Sequence, residues 1–528
     1  MKNIILDGES LSIKDVCQIV KGKAIPYIDE SVYSKIKKSR SILEDIVHKE
    51  PIYGVTTGYG EMVYQLISIN LETELQTNLI RSHAACIGNL FSKEQCKAIL
   101  TVRINAFCKG NSGVRRELVE QLLLYLKNDI IPAIPEIGSL GASGDLGQLA
   151  HLALTCIGEG YVFDDNGNKT DTINLLKKCN IAPLELKYKE GLALINGTSA
   201  MTGLACLNLE NAVEQIKQAE IITALILEVL KASSGAFQKE GHLARPHKGQ
   251  LDCAENLLEL LKGSTLILSH SDLKNELMSQ KQDGFSTETK TYIQKAYTLR
   301  CVPQILGAIR DTIEYAKNVV TIEVNSSNDN PLFFEGKEIF HGGNFHGQPV
   351  SFVMDYCSIA LTQLGIVSER RINRLLNKHL SNGLPEFLAK SEPGLNCAFE
   401  GVQYPATALV AENRCICSPA SIQSIPSNGD NQDVVSMGLI ATRNNRKILD
   451  NNYYILAIEA ICGVQAVDIM NSYKNLSEAG KITYNFIREY VETLNEDRYM
   501  SNDIENIFSK LKIGELLSRI ENANIKLR

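Results

Sequence analysis

Gly138-Ser139-Leu140-Gly141-Ala142-Ser143-Gly144-Asp145-Leu146-Gly147 is the stretch on which the reading of this 528-residue chain turns. Its glycine density marks a loop with unusual conformational freedom. Pro132 and Pro135 precede it, and a helix-like run begins near Gln148. Outward from this loop, helical periodicity dominates. Upstream, Ile4 to Leu6 reads as a short strand, and Ser12 with Asp15 reads as a capping box opening a helix that stops at Gly22. A second glycine-rich stretch, Tyr53 to Glu61, breaks regular structure, and Leu75, Leu79, Ser82, His83 and Cys86 fall on one helical stripe. Downstream, Tyr161 to Asp171 reads as a hairpin with Asn166-Gly167 at its tip. Long periodic segments follow at Cys206–Ser233, Pro303–Val320, Val350–Asn377 and Arg446–Ser472. Antiparallel packing into a bundle is the natural way to bury their apolar stripes. The expected fold is mainly α: a loop-rich region over residues 1–205, then a long-helix bundle with C-terminal helices over 206–528.

Composition narrows the function. Hydrophobic residues make up 44% and charged residues 22%, which suffices for a large core. A net charge of −7 argues against a nucleic-acid partner, which calls for a basic face. The fourteen cysteines are scattered without zinc-like spacing and read as reduced, mostly buried thiols. The first residues turn polar too early for a signal peptide, and apolar runs such as Ile221 to Leu230 fall short of the ~20 residues that span a bilayer. The expectation is a cytoplasmic protein with no membrane contact.

Ser143 is no hydrolase elbow, because G-x-S-x-G needs glycine where Asp145 stands. No phosphate-binding G-x-x-x-x-G-K-[ST] is present, and His341/His346 and His242/His247 are spaced wrongly for a helical metal pair. A structural turn is the simplest account of the loop. Its chemical alternative is more specific. In a bent loop the Gly144 nitrogen can reach the Ala142 carbonyl carbon, since glycine has no Cβ in the way. Ring closure with loss of water, followed by dehydration of Ser143, gives a five-membered ring with an exocyclic methylene. That is a strong electrophile made without an external cofactor.

The decapeptide resembles the defining motif of the aromatic amino-acid lyases and aminomutases, whose prosthetic group is 4-methylidene-imidazol-5-one (MIO). The likeness extends over nearly the whole chain. It includes Tyr53-Gly-Val-Thr-Thr-Gly-Tyr-Gly-Glu61, Gly191-Leu-Ala-Leu-Ile-Asn-Gly-Thr198, Tyr297-Thr-Leu-Arg-Cys-Val-Pro-Gln304, Asn325-Ser-Ser-Asn-Asp-Asn-Pro331, His341-Gly-Gly-Asn-Phe-His-Gly347 and Asn431-Gln-Asp433. The resemblance implies a cofactor formed from Ala142, Ser143 and Gly144, with no metal, in a homotetramer whose sites draw on three subunits.

The resemblance also assigns roles. Tyr53 takes the place of the base that removes the substrate's β-proton, and a phenol of unperturbed pKa ~10 needs a site that favours the phenolate. Arg300 stands as the bidentate clamp on the substrate carboxylate. Asn196 and Gln294 match hydrogen-bonding positions near the carboxylate and MIO, Tyr297 a proton relay, Phe345 an aromatic wall, and Glu61 an acceptor near the amine. Release of arylacrylate and ammonia makes a lyase, and return of the amine to the β-carbon makes a 2,3-aminomutase. For the substrate ring, Ser82-His83 resembles the pair of histidine and tyrosine enzymes. Histidine enzymes carry a glutamate where this chain has Gln432, which disfavours an imidazole. Tyr404 could share a phenolic hydroxyl with His83, and two unpaired polar groups would then reject phenylalanine. Stretches such as Gly383-Leu-Pro-Glu-Phe-Leu388 and Asp497-Arg-Tyr-Met500 resemble bacterial tyrosine 2,3-aminomutases. Tyrosine is the first expected substrate, with histidine ammonia-lyase or plain tyrosine ammonia-lyase as the alternatives.

Overall fold

Ser12 and Asp15 open the first helix as their spacing predicts. The Ser12 hydroxyl accepts from Asp15 N at 3.1 Å while Asp15 accepts from Ser12 N at 3.3 Å. The helix runs over Ile13–Val20 and ends before Gly22, which takes φ +67°. The computed structural model describes residues 2–289 and 291–528. The N-terminal strand is Lys2–Ile5, paired in parallel with Ala24–Tyr27. The expected hairpin is present as Tyr161–Phe163 against Lys169–Asp171. Among the described residues the sheets are two-stranded, and helices make up the rest of the framework. The fold is mainly α.

Five helices after residue 198 carry the long apolar stripes. They are α1 (Ser199–Val229), α2 (Val302–Val324), α3 (Gln348–Leu376), α4 (Glu400–Ile416) and α5 (Gly438–Met470). Periodicity found four of these but started α1 and α5 late, because their first turns hold Gly and Thr with Ser (α1) or Asn (α5), which read as loop formers. It missed α4, where Pro405 inside the helix reads as a breaker. Two helices, α3 and α5, are long and apolar enough to cross a membrane, against the sequence expectation of shorter runs. Their apolar windows are 67% and 78% buried in the protein, as in core helices.

The chain divides into two compact units that are discontinuous in sequence, where the sequence reading placed one boundary between residues 205 and 206. The first comprises Met1–Glu210, Tyr315–Asp355 and Pro419–Asn445, and the second Asn211–Glu314, Tyr356–Ser418 and Arg446–Arg528. The division falls inside α1, α2, α3 and α5.

Within the second unit, side-chain bonds set the helix directions. Gln403 donates to Asn373 at 3.2 Å and Thr407 to Glu369 at 3.2 Å, so α3 and α4 run antiparallel. Asn452 donates to Leu361 O at 2.8 Å, and Glu459 pairs with Arg371 and Ser368, so α3 and α5 run parallel. Of these partners Ser368, Glu369, Arg371, Asn452 and Glu459 are buried, and their bonds fix register as well as direction.

In the first unit, Leu43, Val47, Ile52, Val55 and Phe333 form one cluster. It pins the start of the Tyr53 stretch beside the chain around residue 333. The fourteen cysteines are free and most are buried, as reduced thiols should be.

Candidate active site

The Gly138–Gly147 loop is sharply bent. Gly141 and Gly144 bridge each other across the turn, and between them Ser143 takes φ +55°, a left-handed conformation that a residue with a Cβ rarely adopts. Gly144 takes φ +78°, and a Cβ there would lie 2.0 Å from Gly197 O. The two backbones are stitched together, Gly197 N donating to Ser143 O at 3.1 Å and Asp145 N donating to Gly197 O at 2.8 Å.

Gly197 is in turn seated against Asn328, where a Cβ would come within 2.5 Å of the backbone oxygen. Behind it lies Arg103, fully buried on the helix Lys93–Cys108. Its guanidinium donates to Asn196 O at 2.7 Å and Asn328 Oδ1 at 2.8 Å. Asn328 Nδ2 donates to Thr198 Oγ1 at 2.8 Å, and Thr198 donates to Glu323. Asp145 is buried as well and accepts from Met201 N at 2.7 Å and Ser139 Oγ at 2.9 Å. Burial pushes its carboxyl up to about 7, against the pull of those hydrogen bonds and of Arg103.

The bent loop forms one wall of a cavity of about 460 Å³. Tyr53, Ala142, Ser143, Asn196, Phe345 and Gln432 line it together. Gly60 N donates to Tyr53 Oη at 2.9 Å, and Tyr59 meets the Tyr53 ring edge-on at a centroid distance of 6.4 Å. Gln432 Nε2 approaches Ser143 Oγ at 3.5 Å, its own amide oxygen accepting from Ser427 Oγ at 3.1 Å. Asn196 Oδ1 is buried and has no hydrogen-bond partner, which leaves an acceptor at the cavity wall.

A bent, glycine-seated tripeptide thus shares one cavity with the phenol of Tyr53 and the amides of Asn196 and Gln432. The model of the aromatic amino acid lyases matches residues 11–490. The chain belongs to the aromatic amino acid lyase family. The MIO-dependent tyrosine 2,3-aminomutase of Streptomyces globisporus is 54% identical over 529 residues, covering 99% of this chain and 98% of that protein. The tyrosine ammonia-lyase of Cupriavidus metallidurans is 52% identical over 524 residues, covering 99% and 98%. The crystal structure of the Streptomyces globisporus tyrosine aminomutase has a TM-score of 0.97 and 53% identity, covering all of both chains. This aromatic amino acid lyase is therefore an enzyme, and both the family resemblance and the mainly α fold read from its sequence hold.

Glu61, His83, Gln294, Tyr297, Arg300 and Tyr404 are not among the lining residues. Glu61 belongs to the short 3-10 turn Gly60–Tyr64, whose Val63 does reach the cavity. His83 is the last residue of the helix Glu72–His83, with Nδ1 2.9 Å from Leu79 O and 3.0 Å from Ser82 Oγ. The helix ends there, so Cys86 is not on its stripe.

Gln294, Tyr297, Arg300 and Tyr404 belong to the second unit. Arg300 Nε donates to Lys295 O at 2.9 Å, and its guanidinium lies 4.9 Å from the centre of the Tyr297 ring. Gln294 and Arg300 line a cavity of about 280 Å³ in that unit. Tyr297 is 68% exposed and Tyr404 63% exposed, the Tyr404 hydroxyl donating to Glu400 at 3.2 Å.

Sequence reasoning missed several lining groups. His341 and His346 were weighed only as metal ligands, yet both face the cavity, as do Asn330 and Asn431. His341 Nε2 accepts from Tyr53 N at 3.4 Å, and burial lowers its pKa. The signal lay in the motif His341 to Gly347, which brings the histidines beside Phe345.

Proposed function

We propose that this lyase is a tyrosine 2,3-aminomutase that converts L-tyrosine to β-tyrosine and releases some 4-coumarate and ammonia. The observation that carries the reading is the tripeptide Ala142-Ser143-Gly144, bent against Gly197 and sharing its cavity with Tyr53. The loop fits an MIO: Ser143 is held in the left-handed turn, and Gly144 rests where no Cβ fits. When formed, that group supplies an electrophile that makes the substrate's amine a better leaving group.

The chain's own residues supply the rest. Tyr53 Oη takes the β-proton, and the Gly60 N–H at 2.9 Å holds that oxygen in place and steadies negative charge on it. Asn196 Oδ1 receives a donor from the substrate, which relieves its buried, unpaired state. Phe345 packs against the substrate, and Glu61 accepts from its amine. Arg300 clamps the carboxylate, with Gln294 beside it and Tyr297 relaying the proton. His83 and Tyr404 hold the ring hydroxyl, and Gln432 in place of a carboxylate disfavours an imidazole. The exposure of Tyr297 and Tyr404 supports an assembly in which other copies of the chain bring these residues to the site. We place the enzyme in the cytoplasm as a homotetramer.

Partition between mutase and lyase depends on how long the unsaturated intermediate stays enclosed before the amine returns. A tyrosine ammonia-lyase is the second reading, supported by the 52% identity to such an enzyme. Incubation of the purified protein with L-tyrosine and, separately, L-histidine tests the proposal by chromatography of the products. The expected result is β-tyrosine with less 4-coumarate. Coumarate without β-tyrosine contradicts the mutase, and urocanate alone contradicts the substrate.

A further inference from the structure

Gln76 lies on the helix Glu72–His83 and is fully buried. Its amide nitrogen donates to Gly54 O at 2.9 Å and to the Tyr59 hydroxyl at 3.0 Å, and its amide oxygen accepts from Leu192 N at 3.0 Å. A backbone carbonyl only accepts and a backbone N–H only donates, so these partners fix which way the amide points. One side chain thereby joins its own helix, the Tyr53–Gly60 turn and the short helix Glu190–Ile195. The approach is close on both sides. A Cβ on Gly54 would lie 2.5 Å from Leu192 Cδ2 and 2.7 Å from Tyr59 Cε1, and one on Gly191 would lie 2.5 Å from Gln76 O.

Tyr53 has no direct bond to Gln76 but is held at places that Gln76 governs. Gly54, the next residue, is anchored through its carbonyl. Tyr59, anchored through its hydroxyl, meets the Tyr53 ring edge-on. Gly60, which follows Tyr59, supplies the N–H that reaches Tyr53 Oη. We propose that Gln76 is a positioning residue for the phenol of Tyr53, clamping both ends of the turn that carries it. The proposal rests on the reading of Tyr53 as the group that takes the β-proton. Loss of the amide donors leaves Gly54 O without its partner and frees the Tyr59 hydroxyl. The turn then opens, and the phenol loses its fixed distance to the β-carbon. A misplacement of ~1 Å at a reacting group costs on the order of a hundredfold in rate.

Two variants test this. Gln76→Glu keeps the shape and the acceptor for Leu192 N and replaces the amide's two N–H donors by a carboxyl oxygen, which as carboxylate only accepts and repels Gly54 O. Tyr59→Phe keeps the ring and removes only the hydroxyl. For each, the loop peptide is weighed for the loss of two waters, kcat and KM are measured with L-tyrosine, and β-hydrogen exchange with deuterated solvent is followed. Both variants are expected to lose the two waters and to keep KM within a few-fold. Their kcat and exchange should fall together, roughly a hundredfold for Gln76→Glu and about tenfold for Tyr59→Phe.

Tyr53→Phe is run beside them. If Tyr53→Phe still exchanges, the base assignment fails and the proposal falls with it. If Tyr53→Phe is silent while both other variants exchange at the parent rate, the role of Gln76 alone is overturned. Retention of both waters in Gln76→Glu also overturns it, since the defect would then lie in forming the cofactor. If Gln76→Glu does not fold, Tyr59→Phe decides.

Discussion

Ser143 and Gly144 share one bend but stand differently in it. A left-handed φ suits Gly144, whereas for Ser143 it carries a cost of about 1–2 kcal/mol that its surroundings must offset. The offset comes from bonds on either side of Gly197 and from the buried Arg103 behind it. Gly144→Ala tests this seat. The added Cβ would stand 2.0 Å from Gly197 O, on a backbone that disfavours any side chain. The variant is expected to keep its helical circular dichroism and to lose tyrosine turnover to background. Turnover near the parent rate would show that the seat is not needed. The glycines of this loop were legible in the sequence because close backbone approach leaves a residue-type trace. Gln76 and His341 were not legible as site residues. A buried glutamine on an amphipathic helix has no pattern of its own, and its partners come from segments distant in sequence.

At the scale of elements, Glu228 ties the end of α1 to the helix Glu478–Tyr490. Its carboxylate accepts from Ser477 N at 2.6 Å and Ser477 Oγ at 3.3 Å. Burial raises its pKa to about 7, opposed by hydrogen bonds from Ser477 and Ser264 and by the charge of Lys481. A carboxyl whose folded pKa exceeds its unfolded value favours the fold when protonated. Its contribution is therefore greatest below about 4.5 and is lost as pH rises towards about 7. The change amounts to about 3 kcal/mol. Thermal midpoints measured across that range should fall less steeply for Glu228→Gln than for the parent, and equal slopes would contradict this account. Elements were the most legible level. Apolar stripes revealed four long helices, since burial on one face imposes a period, while α4 was hidden by Pro405. At His83 the apolar stripe continues in sequence, but the helix stops.

For the molecule as a whole, order along the chain is a poor guide to compactness. Segments 315–355 and 419–445 return to the first unit and bring Phe345 and Gln432 to the loop at residue 143. No local pattern announces such returns. Only motifs that resemble those of the family linked Phe345 and Gln432 to Ser143 ahead of the fold, and these three residues line one cavity. The residues of the second unit were named in the same way, and an assembly of several copies is the proposed means of delivering them. All of this serves the claim that the chain makes its own electrophile from Ala142, Ser143 and Gly144. The most direct measurement is the mass of the peptide spanning residues 138–147 from the native protein and from Ser143→Ala. The account predicts that the native peptide is lighter than its sequence by two waters, and that the variant, with no serine hydroxyl to lose, lacks that full loss. A native peptide at its full sequence mass, from protein that still turns over tyrosine, would contradict it.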